Sequence, residues 1–449
     1  VRESVQLKFF AEEKTEDDWT FNGASVRELT HCYHDYPARM IPQIAGKLLD
    51  TFATNKDSVL FDPYCGTGTS LVEGFIRGFN VIGTDLNPLA RLIAKTKTST
   101  PDLKKLEKEI VRLNKQAVTT CAYGQGSNVS TACDSGRVSL VTEIKGITKL
   151  DFWFKKEVIE KLFALKNFIE EIEDDAIQSF FKVAFSETVR ESSNTRNSEF
   201  KLYRYAPEQL EKFSPDVFGI IASKLERNRV GLKKFLEIVS KLKSRPSSNV
   251  FDFNTVVDIP KNIIAPKSVD IVITSPPYGD SHTTVAYGQY SRLSAAWLDL
   301  HEPDKIDKKL MGSFVSKERR TFECDELNKA LMQIQKEHPK RALEVAAFYD
   351  DLRKSISHIA PTVKSKGYAC YVVGNRKVKG IVLPTDLAVQ SFFESQGFKH
   401  INTFHRRIPN KRMPLRNSPS NISGAVDNTM LREHIVVMKK IENAEACTE

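Results

Sequence analysis

One stretch, residues 58–90, constrains the fold of this chain more than any other: SVLFDPYCGTGTSLVEGFIRGFNVIGTDLNPLA. A β-branched and apolar run, Val59-Leu60-Phe61, leads into a glycine-bearing turn at 65–69. An apolar-periodic helix follows around 71–76, then a break at Gly78 and a second strand, Val81-Ile82-Gly83, ending in Asp85. Strand, loop, helix and strand in that order open a parallel, doubly wound α/β sheet of the Rossmann-like type.

Such sheets bind ligands beyond the carboxyl ends of their strands. The segment Asp62-Pro63-Tyr64-Cys65-Gly66-Thr67-Gly68-Thr69 occupies that place after the first strand. Gly66 and Gly68 let backbone approach a ligand where a side chain would obstruct it. Asp85, at the end of the next strand, can accept both hydroxyl protons of a ribose, with Leu86 beside it. A GxG by itself also fits a tight strand–helix turn; the strand before it and the acid after it favour a nucleoside-containing cofactor. The third glycine of GxGxxG is missing, which argues against a nicotinamide, and no GK[ST] follows, which argues against a phosphate-binding NTPase loop.

With 449 residues the chain exceeds one ordinary domain. Helix-type patterns dominate from 101 to 246, at 103–117, 155–173, 176–189 and 207–242, so 101–247 reads as a helical insertion. A second, highly charged stretch at 301–345 reads as helix or loop. The strand idiom returns at 250–253 and 269–274, and the end of the chain, 367–373, 385–397 and 434–439, reads strand, helix, strand. The sheet is therefore expected to be interrupted by insertions and completed near the end of the chain, with its parts in 1–100, 248–300 and 346–442. Seven scattered cysteines form no CxxC pair, so neither a disulfide framework nor a metal site is expected. The sequence shows no signal-peptide layout and no apolar run of bilayer length, so a cytoplasmic protein without a membrane partner is expected. The formal charge of +9 favours a polyanionic partner.

The chemistry is most legible in Ser268-Val269-Asp270-Ile271-Val272-Ile273-Thr274-Ser275-Pro276-Pro277-Tyr278. An apolar strand ends in two prolines that fix φ and remove two N–H donors, giving a rigid loop. Carbonyls there are free to accept hydrogen bonds from a ligand amine. Ser275 adds a hydroxyl acceptor and Tyr278 a flat face for stacking. That combination suits an extruded base whose amino group must be held. A proline-stiffened turn with a core tyrosine would read the same way.

FDPYCGTGT, TDLNP and TSPPY together resemble the DNA amino-methyltransferases of bacterial restriction–modification systems, which methylate cytosine N4 or adenine N6. The run His34-Asp35-Tyr36-Pro37-Ala38-Arg39-Met40-Ile41-Pro42 looks like that family's cofactor-contacting segment, which implies Tyr36 and Pro37 at the cofactor. Phe251-Asp252-Phe253 stands where the family's adenine-contacting acid lies, which implies Asp252 and Phe253. The resemblance implies S-adenosylmethionine as cofactor, duplex DNA as substrate and a cognate restriction endonuclease as a partner. It also implies a flipped base whose amine is held by Ser275 and the Pro276 carbonyl, with Tyr278 stacked on the ring and Pro277 stiffening the corner. Ser at 275 favours cytosine N4, since Asp or Asn is usual in members that act on adenine. A related Pro-Pro-Tyr motif serves protein-glutamine methylation, so an RNA or protein-amide substrate is the more distant reading. The chain departs from many N4 members in placing its cofactor motif before TSPPY. It also separates Asp85 from Asp252 by the whole helical insertion.

Three regions compete for contact with DNA: the helical insertion 101–247, as the candidate target-recognition region, the basic stretch 405–417, and the charged stretch 304–341, which reads as a solvated helical face or flap. Arg196, Asn197, Lys201 and Arg204 lie in a polar stretch whose Arg and Asn side chains suit base edges. Residues 405–417, with Arg406, Arg407, Lys411 and Arg412, carry no acid and read as an extended loop for phosphate contact. Solvated polar or basic loops would look alike.

Overall fold

The computed structural model describes residues 19–53, 58–123, 144–197, 201–279, 286–300, 307, 310–315, 320–408, 416–417, 427–428 and 432–442. Its centre is a seven-stranded sheet: β1 (Val59–Asp62), β2 (Asn80–Thr84), β3 (Ser248–Phe251), β4 (Val269–Thr274), β5 (Val363–Val373), β6 (Phe398–Arg407) and β7 (Arg432–Lys440). The spatial order is β3-β2-β1-β4-β5-β7-β6. The first five strands are parallel, with Val59 opposite Asn80, Leu60 opposite Ile271 and Ile273 opposite Cys370. Strand β7 runs antiparallel to both its neighbours, pairing Val437 with Cys370 and Glu433 with Arg406. The winding direction reverses between β1 and β4, which opens a crevice beyond their carboxyl ends.

Alternation along the strands sends successive side chains to two separate cores. Leu60 and Ile271 enter one, with Phe180, Phe181, Leu225, Phe235 and Trp297. Phe61 and Val272 enter the other, with Tyr349, Leu352, Tyr371 and Phe392. On the first side pack helices α1 (Pro42–Phe52), α2 (Thr69–Phe75), α3 (Pro88–Lys97), α4 (Leu103–Tyr123), α5 (Lys156–Glu170), α6 (Asp175–Ser192), α7 (Val217–Val239) and α8 (Tyr287–Trp297). The other side carries α9 (Asp325–Glu337), α10 (Pro339–Ile359) and α11 (Thr385–Glu394). The helices of 101–247 thus share a continuous core with the sheet. No helix among the described residues is long and apolar enough to cross a membrane.

Two expectations are corrected. The periodic run at 207–242 is two helices, Pro207–Lys212 and Val217–Val239. Pro215 cannot donate to a continuing helix, and Asp216 starts the second by accepting from the Gly219 N–H at 3.0 Å. The basic stretch expected to be a loop from 405 is strand through Arg407. As the outer strand of the sheet, β6 keeps one edge and much of both faces in water, so its polar sequence hides its pairing with β7.

Candidate active site

A pocket of about 1000 Å³, partly open to solvent, lies in the crevice beyond β1, β2 and β4. The expected residues Tyr36, Pro37, Asp62, Pro63, Cys65, Gly66, Thr67, Thr69, Asp85, Leu86, Phe253, Ser275 and Pro277 line it. Ala38, Arg39, Met40, Tyr64, Ser70, Asn87, Asn254, Thr255, Tyr287, Leu310 and Met311 complete the wall.

The turn after β1 is held from below. Asp62 is buried and accepts from Thr274 Oγ1 at 2.6 Å, from the Tyr64 N–H at 3.1 Å and from Ser70 Oγ. Burial nonetheless raises its pKa to about 6, against these hydrogen bonds. Thr274 is the last residue of β4, so one hydrogen bond joins the turn after β1 to the loop after β4. Gly68 adopts a left-handed φ of 75° as it enters α2, a conformation that disfavours a side chain. Its place in the expected cofactor set is structural, because it shapes the turn without lining the pocket. Below the turn, fully buried Lys97 donates to Thr67 Oγ1 at 3.3 Å. Burial and then the charge of Arg39 push the Lys97 pKa well below its ordinary value.

Asp85 accepts from the Gly66 N–H at 3.0 Å and the Asn87 N–H at 2.7 Å. Burial raises its pKa, opposed by those two amides. Asn87 caps α3 by accepting from the Leu89 N–H at 3.0 Å, and its amide donates to Tyr36 Oη and Ser291 Oγ, both at 2.7 Å. Asn before Pro at a helix start was a readable sequence signal; its grip on Tyr36 was not. The Tyr36 and Tyr287 rings stack at 6.0 Å. The segment before them is clamped from the insertion: the Asp35 N–H donates to Glu187 at 2.7 Å, and Arg227 donates to the other Glu187 oxygen at 2.5 Å. Tyr290 Oη donates to the Asp35 carbonyl at 2.8 Å.

S-adenosylmethionine fits these residues. Gly66 has a φ of 49°, and a Cβ built there meets no protein atom within 4 Å, so it would stand in the cavity that Gly66 lines. Asp85 offers an acceptor for a ribose diol, while Tyr36, Phe253 and Tyr287 supply aromatic wall. Asp252 is exposed, with its carboxylate 3.7 Å from Arg91. The wall beyond β3 is formed instead by Phe253, Asn254 and Thr255.

In the loop after β4, Ser275 and Pro277 face the pocket, Pro276 is buried and Tyr278 is half-buried beside it. Ser275 Oγ donates to Tyr278 Oη at 3.1 Å, and Tyr278 Oη donates to Glu433 at 2.9 Å. Burial and the Glu433 charge push the Tyr278 phenol well above its usual range, so it remains a donor. Gly279 has a φ of 155°, which disfavours a side chain, and a Cβ there would displace the Arg376 guanidinium.

The chain is 40% identical over 437 residues to the Type II methyltransferase M.MvaI of Kocuria varians, covering 94% of each chain. It belongs to the Type II DNA methyltransferases. A shorter match, 36% over 106 residues, joins this enzyme to the Type II methyltransferase M.MjaII of Methanocaldococcus jannaschii, covering 23% of this chain and 20% of that one. Residues 27–133 match the family model of the RMKL-like methyltransferase domain. Among solved structures, a putative DNA modification methylase from Thermus thermophilus with bound S-adenosylmethionine is 19% identical, covering 22% of this chain and 39% of that one. At a TM-score of 0.16 the two backbones overlay only locally. The enzyme is an S-adenosylmethionine-dependent methyltransferase, as its sequence motifs implied.

Of the residues expected at DNA, Arg196, Asn197 and Lys201 are exposed, while Arg204 packs over the Phe152 ring and donates to the Phe152 carbonyl at 3.0 Å. Arg406 is a correction. Its side chain is 5% exposed and pairs with Glu433 at 2.5 Å, because it lies on the inward side of β6. Its charge is therefore used inside the protein, whereas Arg407 is exposed. Lys411 and Arg412 lie outside the described residues.

Proposed function

We propose that the enzyme methylates the exocyclic N4 amine of cytosine in duplex DNA, with the base swung out of the helix into the Ser275–Tyr278 corner. One observation carries the reading: Ser275 lines the same pocket as Gly66 and Asp85, and the two corners are joined through Thr274 and Asp62. S-adenosylmethionine, when bound, supplies a methyl group made electrophilic by its sulfonium. The turn at 65–69, Asp85 and the aromatic wall hold that cofactor. Ser275 Oγ and the Pro276 carbonyl accept the hydrogens of the target amine, which fixes the nitrogen and raises electron density on it. The half-buried Tyr278 ring offers its face to the base. No covalent enzyme intermediate is needed, and Cys65 is unsuited to forming one, since burial pushes its thiol well above the ordinary range.

The exposed Arg196, Asn197, Lys201 and Arg407, with Lys411 and Arg412, are the residues we assign to DNA contact, and a cognate restriction endonuclease is the expected companion. Serine at 275 supports cytosine over adenine. The test is to digest DNA methylated by the purified enzyme to nucleosides and weigh them. N4-methyl-2′-deoxycytidine is expected; N6-methyl-2′-deoxyadenosine alone would replace the target base. Transfer of labelled methyl to RNA or protein but not to plasmid DNA would replace the substrate class.

A further inference from the structure

The Ser275–Tyr278 corner does not end at the tyrosine. Tyr278 Oη reaches Glu433 Oε1 at 2.9 Å, and Glu433 Oε2 takes the Arg406 Nη1–H at 2.5 Å. Glu433 and Arg406 are direct cross-strand partners on β7 and β6, with side chains 13% and 5% exposed. Four side chains from three segments distant in sequence thus form one continuous row of hydrogen bonds leading into the pocket.

The chemistry of each group dictates the direction of that row. A guanidinium can only donate, and the carboxylate paired with it can only accept. Tyr278 must therefore give its proton to Glu433. That leaves the phenol oxygen as an acceptor, which takes the Ser275 proton at 3.1 Å. With its proton drawn away, Ser275 Oγ turns only lone pairs toward the pocket. An exocyclic amine is a donor, so this is the polarity its recognition requires. A serine hydroxyl free to rotate would present its own proton part of the time and repel the amine hydrogen.

We infer that Glu433, braced by Arg406, is a positioning residue that sets the hydrogen-bond polarity of the active-site serine and so makes Ser275 an obligate acceptor for the target amine. The inference rests on the reading of Ser275 as the group that holds that amine. It explains why a basic residue expected at DNA is spent inside the protein, and why the acid that matters most for the catalytic loop lies far from it in sequence, on the last strand.

The test compares Ser275→Ala, Tyr278→Phe, Glu433→Gln and the double variant Tyr278→Phe/Glu433→Gln. Cofactor affinity, melting temperature and single-turnover methyl transfer at saturating cofactor and duplex DNA are measured for each. Tyr278→Phe keeps the ring and removes only the relay, so it reports even where Glu433→Gln, which removes the charge opposite Arg406, folds poorly. The inference expects Ser275→Ala to be the most damaging. Tyr278→Phe and Glu433→Gln should each slow transfer roughly tenfold with cofactor affinity unchanged, the scale of one misdirected hydrogen bond. The double variant should be no slower than Tyr278→Phe, because both changes cut the same row. A folded Tyr278→Phe enzyme with the wild-type rate, beside an impaired Ser275→Ala, would overturn the relay and leave the reading of Ser275 intact. Independent, multiplying losses in the double variant would also overturn it. Wild-type transfer by Ser275→Ala would overturn the reading of Ser275 and the relay with it.

Discussion

Asp62 is a carboxyl with three protein donors and almost no water, and burial and those donors pull its pKa in opposite directions. Burial raises its folded pKa to about 6, above the value of about 3.9 for an unfolded aspartate. Between those values the native state holds the extra proton. The group's contribution to stability is therefore fully present below about pH 4 and is lost as pH rises through about 6. S-adenosylmethionine carries a sulfonium and an ammonium, so cofactor binding favours the ionised form. Cofactor affinity should then fall as pH drops below about 6, approaching tenfold per pH unit for one linked proton. Calorimetric titration from pH 5 to 8 on the wild type and Asp62→Asn checks both signs. The variant should show a flatter affinity profile, and the difference in melting temperature between the two proteins should shrink or reverse toward neutral pH. Identical affinity profiles would remove Asp62 from cofactor binding.

The helical insertion is expected from sequence to be a candidate reader of DNA, yet α6 and α7 also carry the clamp on the cofactor segment. Glu187 is 3% exposed and joins the Asp35 backbone to Arg227. Gly231 lets α7 come close enough, since a Cβ there would strike the Leu29 carbonyl and lie 2.6 Å from Cys32 Sγ. Removing Glu187 takes the counter-charge from the Arg227 guanidinium, which still donates to the Tyr33 carbonyl and to Asn228, and leaves the Asp35 amide without its acceptor, at a cost of about 1–3 kcal/mol. Glu187→Ala should therefore lower the melting temperature and weaken cofactor binding, while binding of duplex DNA stays near wild type. Saturating cofactor should restore part of the lost melting temperature, because it binds only the folded state. Loss of DNA binding with cofactor affinity untouched would make these helices readers of DNA and no part of the cofactor pocket. The helices themselves were legible from apolar spacing; the clamp was not, because its ends are 152 residues apart and nothing local marks Glu187 from other helix acids.

At the scale of the whole molecule, the parts readable in sequence are those whose chemistry is local. Strands β1, β2 and β4 are short apolar runs, and their terminal turns carry residues that few other tasks require: GTG, an acid at a strand end, and Ser-Pro-Pro-Tyr. What stayed hidden depends on pairing across the sheet. Strand β6 reads as a basic loop until β7 lies beside it, and only then do Arg406 and Glu433 meet. The wall contributed by Asn254, Thr255, Leu310 and Met311 comes from segments that converge through topology alone. The same topology makes the central claim, since the order β1-β4 places the glycine turn and the serine corner at one crevice with Asp62 and Thr274 bonded between them. The two corners should nonetheless fail differently. The direct measurement is cofactor dissociation constant and single-turnover transfer rate for Asp85→Ala and Ser275→Ala. Asp85→Ala should weaken cofactor binding by about 2–3 kcal/mol, roughly 30- to 150-fold, with transfer at saturating cofactor within a few-fold of wild type. Ser275→Ala should bind cofactor normally and slow transfer roughly 100- to 1000-fold. Equal damage by both substitutions to both quantities would contradict the division of the pocket into a cofactor corner and a base corner.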